Sequence, residues 1–231
     1  MRVGVITGAS RGLGRAVAEG LAAEGWRLVI DGRDPASLDR AASALREHTE
    51  VTAIAGDVSD PDHRWAVAAS AAELGRLDLL MNNASELGPS PLPTLDRFPL
   101  DELTRVFEVN TVAPLGLVQL TLPLLTASGG AVVNVTSDAA VEAYEGWGGY
   151  GSSKAALEQL SHILAAEHRG LRVYWFDPGD MRTDMHQAAF PGEDISDRPE
   201  PETVVPALLR LVTERPPSGR YRAAELLPVS R

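Results

Sequence analysis

Short apolar runs alternate along the chain with longer stretches in which apolar residues recur every three or four positions. The run from Val3 to Ile6 is typical of a buried strand, and Leu13, Val17 and Leu21, which follow it, share one face of a helix. This alternation continues almost to the C-terminus. It predicts strands at 3–6, 27–31, 51–55, 77–81, 131–136, 171–176 and 225–229, and helices at 12–24, 35–47, 61–74, 100–125, 150–168 and 203–213.

Strands and helices that alternate in this way predict a single α/β domain over residues 1–231, with a parallel sheet and helices on both faces. Right-handed crossovers favour the doubly wound, Rossmann-type topology. Two prolines inside the long fourth helix, Pro114 and Pro123, predict a kink and an early, frayed end. The segment 185–201 is rich in Pro, Gly and acidic residues, so we expect a mobile loop there that covers the substrate.

The charge balance limits the partners that the protein can bind. The chain has 21 Lys and Arg against 32 Asp and Glu, a formal net charge of −11, which argues against broad binding to nucleic acid or anionic membranes. It has no Cys, so disulfides, thiolate metal sites and cysteine nucleophiles are excluded, and its five His are too scattered to predict a metal site. Because no apolar run approaches 18 residues and no signal-like segment starts the chain, we expect a cytoplasmic protein without a membrane partner.

A glycine-rich turn lies between the first predicted strand and the first predicted helix. Gly8, Gly12 and Gly14 stand there in the spacing G-x-x-x-G-x-G. Gly8 would make the tight turn, Gly12 would let the backbone approach a pyrophosphate, and Gly14 would let the helix pack closely on the sheet. The helix N-terminus would supply amides for the phosphates, so the turn predicts a dinucleotide site, although a tight connection without any ligand could share this spacing.

From residue 3 to about residue 213 the chain resembles the short-chain dehydrogenase/reductase family. Motifs of that family follow successive strands in the family's order, and Ser137 precedes Tyr150 by the family's usual 13 residues. Ser85 stands where the family usually has Gly, and Leu226-Leu227-Pro228 replaces its usual C-terminal Gly-Gly. The matching motifs are Thr7-Gly8-x-x-x-Gly12-x-Gly14, Asp57-Val58, Asn82-Asn83-Ala84, Asn110, Ser137, Tyr150-x-x-x-Lys154 and Pro178-Gly179-x-x-x-Thr183.

The resemblance implies an oxidoreductase that uses a nicotinamide cofactor to interconvert a carbonyl and an alcohol. Tyr150 would exchange the proton with the substrate oxygen, and Ser137 would hydrogen-bond that oxygen. Lys154 would bind the ribose hydroxyls, and Asn110 would hold a water that relays protons to Lys154. The positions implied to bind the cofactor are Gly8, Ser10, Arg11, Gly12, Leu13, Gly14, Arg33, Asp57, Val58, Asn83, Ala84, Tyr150, Lys154, Pro178, Gly179, Met181 and Thr183.

Elementary chemistry supports the roles of Tyr150 and Lys154. Four residues apart at the start of a predicted helix, their side chains project from the same face. A nearby ammonium would lower the pKa of a tyrosine, which is ordinarily about 10, towards the range that acid/base catalysis near neutral pH requires. Taken without the other motifs, Tyr150 and Lys154 are better explained as an exposed pair on a helix surface. A hydrolase with Ser137 as nucleophile is disfavoured because the G-x-S-x-G elbow is absent.

The end of the second strand bears on the choice between NADP and NAD. Relatives that prefer NAD usually carry an acidic residue at the position that aligns with Gly32. Here Arg33 follows Gly32, and together with Arg11 it could clamp a 2′-phosphate, although both could also be solvated loop charges. An alignment shifted by one residue would put Asp31 at the acidic position and favour NAD. We expect NADP(H) as the preferred cofactor, with NAD(H) as the alternative.

The stretches that follow Ser137 and Gly179 should line a substrate pocket. Aromatic side chains there suit a small or ring-containing substrate, and we expect a ketoreductase, although Trp147 is equally well explained as loop packing. The candidate substrate residues are Asp138, Tyr144, Trp147, Met181, Met185 and His186.

Two further hypotheses stay open alongside the reductase. The first is a non-catalytic, nucleotide-binding regulatory or scaffold protein, which would have no need of Ser137, Tyr150 and Lys154 together. The second is isomerase or dehydratase chemistry on the same scaffold, because a fold does not fix a function. The stretches 100–125 and 150–168 resemble the dimer-forming helices of the family, so we expect a homodimer or homotetramer.

Overall fold

The computed structural model describes residues 1–227, and within them seven strands form one parallel sheet. The order across the sheet is β3-β2-β1-β4-β5-β6-β7, so the chain first builds outward on one side of β1 and then on the other. This is the predicted doubly wound, Rossmann-type arrangement. The strands are β1 (Val3–Ile6), β2 (Arg27–Gly32), β3 (Val51–Ala55), β4 (Leu79–Asn82), β5 (Ala131–Val135), β6 (Arg172–Asp177) and β7 (Gly219–Arg222).

Helices cover both faces of the sheet because its strands are apolar on both sides. In β1, Val3 and Val5 pack towards α3 and α5, whereas Ile6 packs towards α1, α2 and α8. Such strands, buried on both faces, are typical of parallel sheets. The helices are α1 (Gly12–Ala23), α2 (Pro35–Arg46), α3 (Pro61–Glu73), α4 (Leu100–Phe107), α5 (Ala113–Ser128), α6 (Gly148–Glu167), α7 (Asp184–Ala189), α8 (Val205–Glu214) and α9 (Ala223–Leu226).

The long helical stretch departs from its prediction at both prolines. A π-helical turn, Glu108–Val112, joins α4 to α5 just before Pro114, so the local irregularity is a wider turn in a continuous helix. The frayed end predicted from Pro123 is wrong, because α5 continues to Ser128. The helix ends there through Gly129, whose φ of 60° is the left-handed cap conformation.

The same stretch, Leu100–Ser128, is long and apolar enough to cross a membrane when judged by length and composition alone. An 18-residue window within it has a mean hydropathy of 1.4. In this fold the buried side chains of α5, such as Leu117, Val118 and Leu125, pack against the sheet and α3, as those of a core helix do.

Two predicted segments towards the C-terminus are corrected. The segment 185–201 is not wholly irregular, since it begins within α7, which Thr183 caps through its side chain. The strand predicted at 225–229 is wrong for the described part, because Ala223–Leu226 is helical, and residues 228 and 229 lie outside the described residues. The last strand is instead β7, whose sequence Gly-Arg-Tyr-Arg has no apolar run to reveal it.

Candidate active site

A large cleft opens at the carboxyl ends of the strands, beside the point where the strand order reverses between β1 and β4. Open α/β sheets bind their ligands at this point. The cleft has a volume of about 1360 Å³ and is lined by all the residues assigned from the sequence to cofactor, catalysis or substrate, except two. The exceptions are Gly14, which lies beneath the glycine-rich turn, and Asn110, which lies behind the cleft wall.

The glycine-rich turn has the geometry that a dinucleotide requires. Gly8 has a φ of 65°, and a Cβ there would lie 2.9 Å from the Cα of Ala84. A Cβ on Gly14 would meet the Gly8 carbonyl oxygen at 2.5 Å, which is closer than any side chain tolerates. Gly12 has a φ of 56°, and a Cβ added to it would have only Thr183 within 4 Å, at 3.7 Å. The backbone of Gly12 is therefore open to the cleft. These residues fit the pyrophosphate of a nicotinamide dinucleotide.

Asp31 does not face the adenosine end of the cleft as a free carboxylate. Its side chain is buried, one oxygen accepts a hydrogen bond from the Gly8 amide at 2.7 Å, and the other lies 3.2 Å from Nε2 of His63. Burial raises the pKa of Asp31, and the contact with His63 opposes that effect. Gly32, in contrast, lies next to the glycine-rich turn, because a Cβ added to it would be 3.1 Å from the Ser10 side chain. The geometry therefore supports the alignment that sets Gly32, not Asp31, at the ribose position.

Arg11 and Arg33 stand at the mouth of the cleft, and both are paired with acidic residues. Arg11 Nη1 lies 2.7 Å from Asp184, at the start of α7, and Arg33 Nη1 lies 2.8 Å from Glu86. Both guanidinium groups are more than half exposed. Exposed ion pairs contribute only about 0–1 kcal/mol, so a phosphate dianion can displace these carboxylates.

Asp57 lies at the carboxyl end of β3 on the adenosine side of the cleft. Burial alone would raise the pKa of its carboxyl, but hydrogen bonds from Ser59 and Arg105 lower it to about 2. Arg105, on α4, forms a short ion pair with this carboxylate and was not singled out from the sequence. A carboxylate held so firmly gives this end of the cleft a fixed negative charge and a fixed shape.

Tyr150 and Lys154 lie together in the first turns of α6, with the Lys154 amine 5.5 Å from the centre of the Tyr150 ring. Lys154 is almost fully buried and donates a hydrogen bond to the Val135 carbonyl at 2.8 Å. Burial lowers the pKa of Lys154 to about 7. Burial also raises the pKa of Tyr150, against smaller opposite effects of Ser85 and Ser137, which face its hydroxyl.

The prediction that Lys154 lowers the pKa of Tyr150 is therefore wrong for the protein without ligands. The physical reason is that desolvation disfavours both charges, and a lysine that is itself partly neutral near pH 7 stabilises a phenolate only weakly. Tyr150 consequently keeps its proton throughout the neutral range.

Beyond Tyr150 the cleft is walled by aromatic rings. The Trp147 ring lies 5.7 Å from the Tyr150 ring and 5.9 Å from the Phe190 ring, and Met185 packs against the same cluster. His186, at 4.9 Å from Phe190, completes the row. Trp147 thus lines the cleft and also packs against its neighbours there.

Asp138 is a charged group beside this row of rings. One carboxylate oxygen accepts hydrogen bonds from the Ser137 hydroxyl at 2.9 Å and from the Ala139 amide at 2.8 Å. The other accepts one from the Tyr144 hydroxyl at 3.0 Å, which raises the pKa of Tyr144. The carboxylate is therefore fixed directly beside the serine that precedes Tyr150 in the motif.

Comparisons with known proteins agree with this architecture. The family profile described as short chain dehydrogenase matches residues 2–194. The chain belongs to the short-chain dehydrogenase/reductase family.

Individual relatives of this short-chain dehydrogenase/reductase resemble it over most of their length. The rhamnolipids biosynthesis 3-oxoacyl-[acyl-carrier-protein] reductase of Pseudomonas aeruginosa is 36% identical over 74% of this chain and 69% of its own. The solved oxidoreductase yciK of E. coli is 31% identical and superimposes with a TM-score of 0.90, covering 96% of this chain and 94% of that one. A short chain dehydrogenase of Escherichia coli CFT073, solved in complex with NADPH, is 30% identical with a TM-score of 0.88, over 96% of both chains.

Within this short-chain dehydrogenase/reductase, Asn110 has a structural environment that explains Ser85. Asn110 lies in the π-helical turn and is fully buried. Its side-chain oxygen accepts hydrogen bonds from the Glu86 amide at 2.7 Å and the Ser85 hydroxyl at 3.1 Å, and its nitrogen donates to Ser153. Ser85, at a position where the family usually has glycine, therefore links Asn110 to Tyr150, because its hydroxyl lies next to both side chains.

A largely buried ion cluster lies behind the Ser137 side of the cleft. Arg220, on β7, donates to Glu158 of α6 at 3.0 Å, to Asp177 of β6 at 3.0 Å and to the Ser137 carbonyl at 3.1 Å. Asp177 also accepts a hydrogen bond from the Gly179 amide at 3.0 Å. One guanidinium thus joins β6, β7 and α6 to Ser137, two residues after the end of β5.

The sequence did not reveal this cluster, nor the pair of Asp31 with His63, nor Phe190. The residues of the ion cluster are far apart in the sequence and only the fold brings them together, so no spacing between them could predict the cluster. Asp177, one residue before the Pro178-Gly179 motif, is the single member that stood next to a recognised pattern. Among residues 1–227 no group of three or more His, Asp or Glu is placed to hold a metal ion.

Proposed function

We propose that this oxidoreductase uses NADP(H) to interconvert a carbonyl and an alcohol on a small or ring-containing molecule, and that it acts as a ketoreductase. One observation carries the proposal. Ser137, Tyr150 and Lys154 meet in a single cleft with a glycine-rich turn that fits a dinucleotide. A non-catalytic scaffold would need only the turn, and none of the cleft residues favours isomerase or dehydratase chemistry instead.

The choice of NADP(H) is supported by the adenosine end of the cleft. Gly32 offers no acid to a ribose 2′-hydroxyl, and Asp31 is occupied by Gly8 and His63. Arg11 and Arg33 can exchange their exposed carboxylate partners for a 2′-phosphate, to which a guanidinium binds in a bidentate manner. The relative from Escherichia coli CFT073 that was solved with NADPH supports the same choice.

The proposed roles of the catalytic residues follow from their positions. When bound, the cofactor supplies or accepts the hydride. Tyr150 donates its proton to the carbonyl oxygen, and the raised pKa keeps that proton available. Ser137 holds the carbonyl oxygen by a hydrogen bond, and Lys154, through its buried amine, binds ribose hydroxyls.

The proposal extends to the substrate segment and to the assembly. Apolar rings at the end of the cleft suit a ring-containing substrate, and α7 with the residues up to 201 forms the wall that such a substrate must pass. We further propose a homodimer or homotetramer built on α5 and α6, a cytoplasmic location, and no membrane or nucleic-acid partner.

The first experiment is a fluorescence titration of the protein with NADPH and, separately, with NADH. We expect NADPH to bind more tightly, and Arg33→Ala to weaken NADPH binding by about tenfold or more while NADH binding changes little, since a charge-assisted pair is lost. Arg210→Ala, which removes an arginine of α8 outside the cleft, is the matched control and should change neither affinity. Equal or tighter binding of NADH would overturn the assignment to NADP(H), and binding of neither would overturn the oxidoreductase chemistry.

A further inference from the structure

The environment of Asp138 constrains what can sit beside the reacting carbonyl. The single proton of the Ser137 hydroxyl is donated to Asp138 at 2.9 Å, yet the proposed mechanism needs that proton on the substrate oxygen. A carboxylate can accept about four hydrogen bonds. Three are made here: Oδ1 accepts from Ser137 and Ala139, and Oδ2 accepts from Tyr144. The position on Oδ1 that Ser137 occupies becomes free for a donor on a ligand when the Ser137 hydroxyl turns away.

A donor on the substrate would resolve this competition. If it binds Asp138, the Ser137 hydroxyl can turn from the carboxylate to the carbonyl oxygen while the carboxylate still accepts three hydrogen bonds. The spacing agrees, because Ser137 Oγ and Asp138 Oδ1 are 2.9 Å apart. Oxygens on adjacent carbons of a small molecule can lie at about the same separation, roughly the 2.8 Å of hydrogen-bonded oxygens.

The charges around this end of the cleft oppose an anionic substrate. Asp138, Glu142 and Asp180 all act on the Tyr144 hydroxyl and raise its pKa. Arg198 faces Asp180 at 3.7 Å, so its charge is already opposed by an acid of this loop. A carboxylate next to the substrate carbonyl would be repelled by the Asp138 carboxylate.

We infer that the site selects carbonyl compounds with a hydrogen-bond donor, a hydroxyl or an ammonium group, on the carbon next to the carbonyl, and with an apolar ring on the other side. This inference rests on the proposed ketoreductase function. In the reaction the ketone carbon gains a hydride from NADPH and its oxygen gains a proton from Tyr150, which is then reprotonated from solvent. A 2-hydroxy ketone thus becomes a vicinal diol, and NADPH becomes NADP⁺.

The test compares three substrates that share one phenyl ring: 2-hydroxyacetophenone, acetophenone and phenylglyoxylate. For the wild-type protein with NADPH we expect kcat/KM to be at least about tenfold higher for the hydroxy ketone than for acetophenone, because a site built for a hydroxyl rejects the analogue that lacks it. Phenylglyoxylate should be the poorest of the three. In Asp138→Ala the ratio of the first two substrates should fall towards one, and phenylglyoxylate should improve relative to acetophenone.

The ratio separates selectivity from general damage to the protein. Glu142→Gln removes an exposed acid of the same loop that makes no contact with Ser137, and it should leave the ratio unchanged. Titration with NADPH reports whether Asp138→Ala still folds and binds cofactor. Turnover without a preference for the hydroxy ketone, or a preference that survives in Asp138→Ala, would overturn the inference alone. Binding of NADPH with no turnover of either ketone would overturn the proposed ketoreductase function, and the inference with it.

Discussion

Lys154 is unusual in this chain because it is the only lysine. One lysine and 20 arginines make up the 21 basic side chains. Lysine labelled with ¹³C at Cε should therefore give a single side-chain NMR signal. We predict that its titration midpoint is about pH 7 in the folded, ligand-free protein, because burial disfavours the charged amine. The same chain in urea is the control and should titrate near the ordinary value of about 10.5. Equal midpoints in both states would contradict the burial of Lys154.

The same group gives the stability of the protein a predictable dependence on pH. Because the pKa of Lys154 is lower in the folded state, the unfolded chain binds more protons between about pH 7 and pH 10.5. This group therefore makes the free energy of unfolding rise with pH across that window. Urea unfolding of wild type and Lys154→Met should show the rise in the first protein and not in the second.

Asp31 offers a second test at the scale of one residue. We predict that Asp31→Ala weakens the binding of NADPH and NADH by similar factors, because it removes the partner of the Gly8 amide and loosens the whole turn. Fluorescence titrations with both cofactors measure this. Asp39→Ala, an exposed carboxylate on α2, is the control. A loss confined to NADH would instead show that Asp31 binds the ribose.

At the scale of elements, β7 is attached to the catalytic side through Arg220. We predict that Arg220→Met lowers the free energy of unfolding by about 3 kcal/mol, because Asp177, which is buried, and Glu158, which is 13% exposed, lose the guanidinium that joins them. The kcat should fall as well, since the Ser137 carbonyl loses a donor. Urea denaturation and steady-state kinetics measure the two effects.

The neighbouring Arg222 provides the matched comparison for Arg220. Its side chain is 59% exposed and reaches Asp177 only at 3.7 Å, so Arg222→Met should cost less than about 1 kcal/mol. Arg220→Lys should be intermediate, because one ammonium cannot reproduce the fork of a guanidinium. Equal stability of the two methionine variants would show that the cluster contributes nothing to the fold.

The elements also show where sequence patterns succeed and where they fail. The strands β1 to β6 were predicted because each is a short run of mostly apolar residues, and the motif of Tyr150 and Lys154 because its spacing is local. The edge strand β7 was missed because its arginines are satisfied by acids on β6 and α6, which no local pattern reveals. Likewise, the pKa of Tyr150 depends mainly on burial, which is a property of the packed molecule. The sequence showed only the nearby charge of Lys154, so the predicted direction of the pKa shift was wrong.

At the scale of the whole molecule, the outer faces of α5 and α6 carry apolar side chains that the described residues leave exposed. Leu120 on α5 and Ile163 on α6 are 44% and 43% exposed. We predict that the wild-type protein is a homodimer or homotetramer and that Leu120→Glu with Ile163→Glu yields monomers, because two buried charges would oppose association. Size-exclusion chromatography with light scattering measures this. Ala44→Glu, on the opposite side of the sheet, should leave the assembly intact, and a monomeric wild type at micromolar concentration would contradict the prediction.

The strand order reverses between β1 and β4, in the middle of the cleft. The two halves of the cleft are therefore built from two successive parts of the chain. The glycine-rich turn, Arg33 and Asp57 all precede Gly75, an exposed residue between α3 and β4, whereas Ser137, Tyr150 and Lys154 all follow it. A chain opened at Gly75 would yield one fragment that grips the adenosine half of the cofactor and another that holds the proton donor. Neither fragment contains a whole cleft, so oxidation of NADPH would be recovered only when the two fragments associate. The fold could therefore serve as a split reporter of protein association.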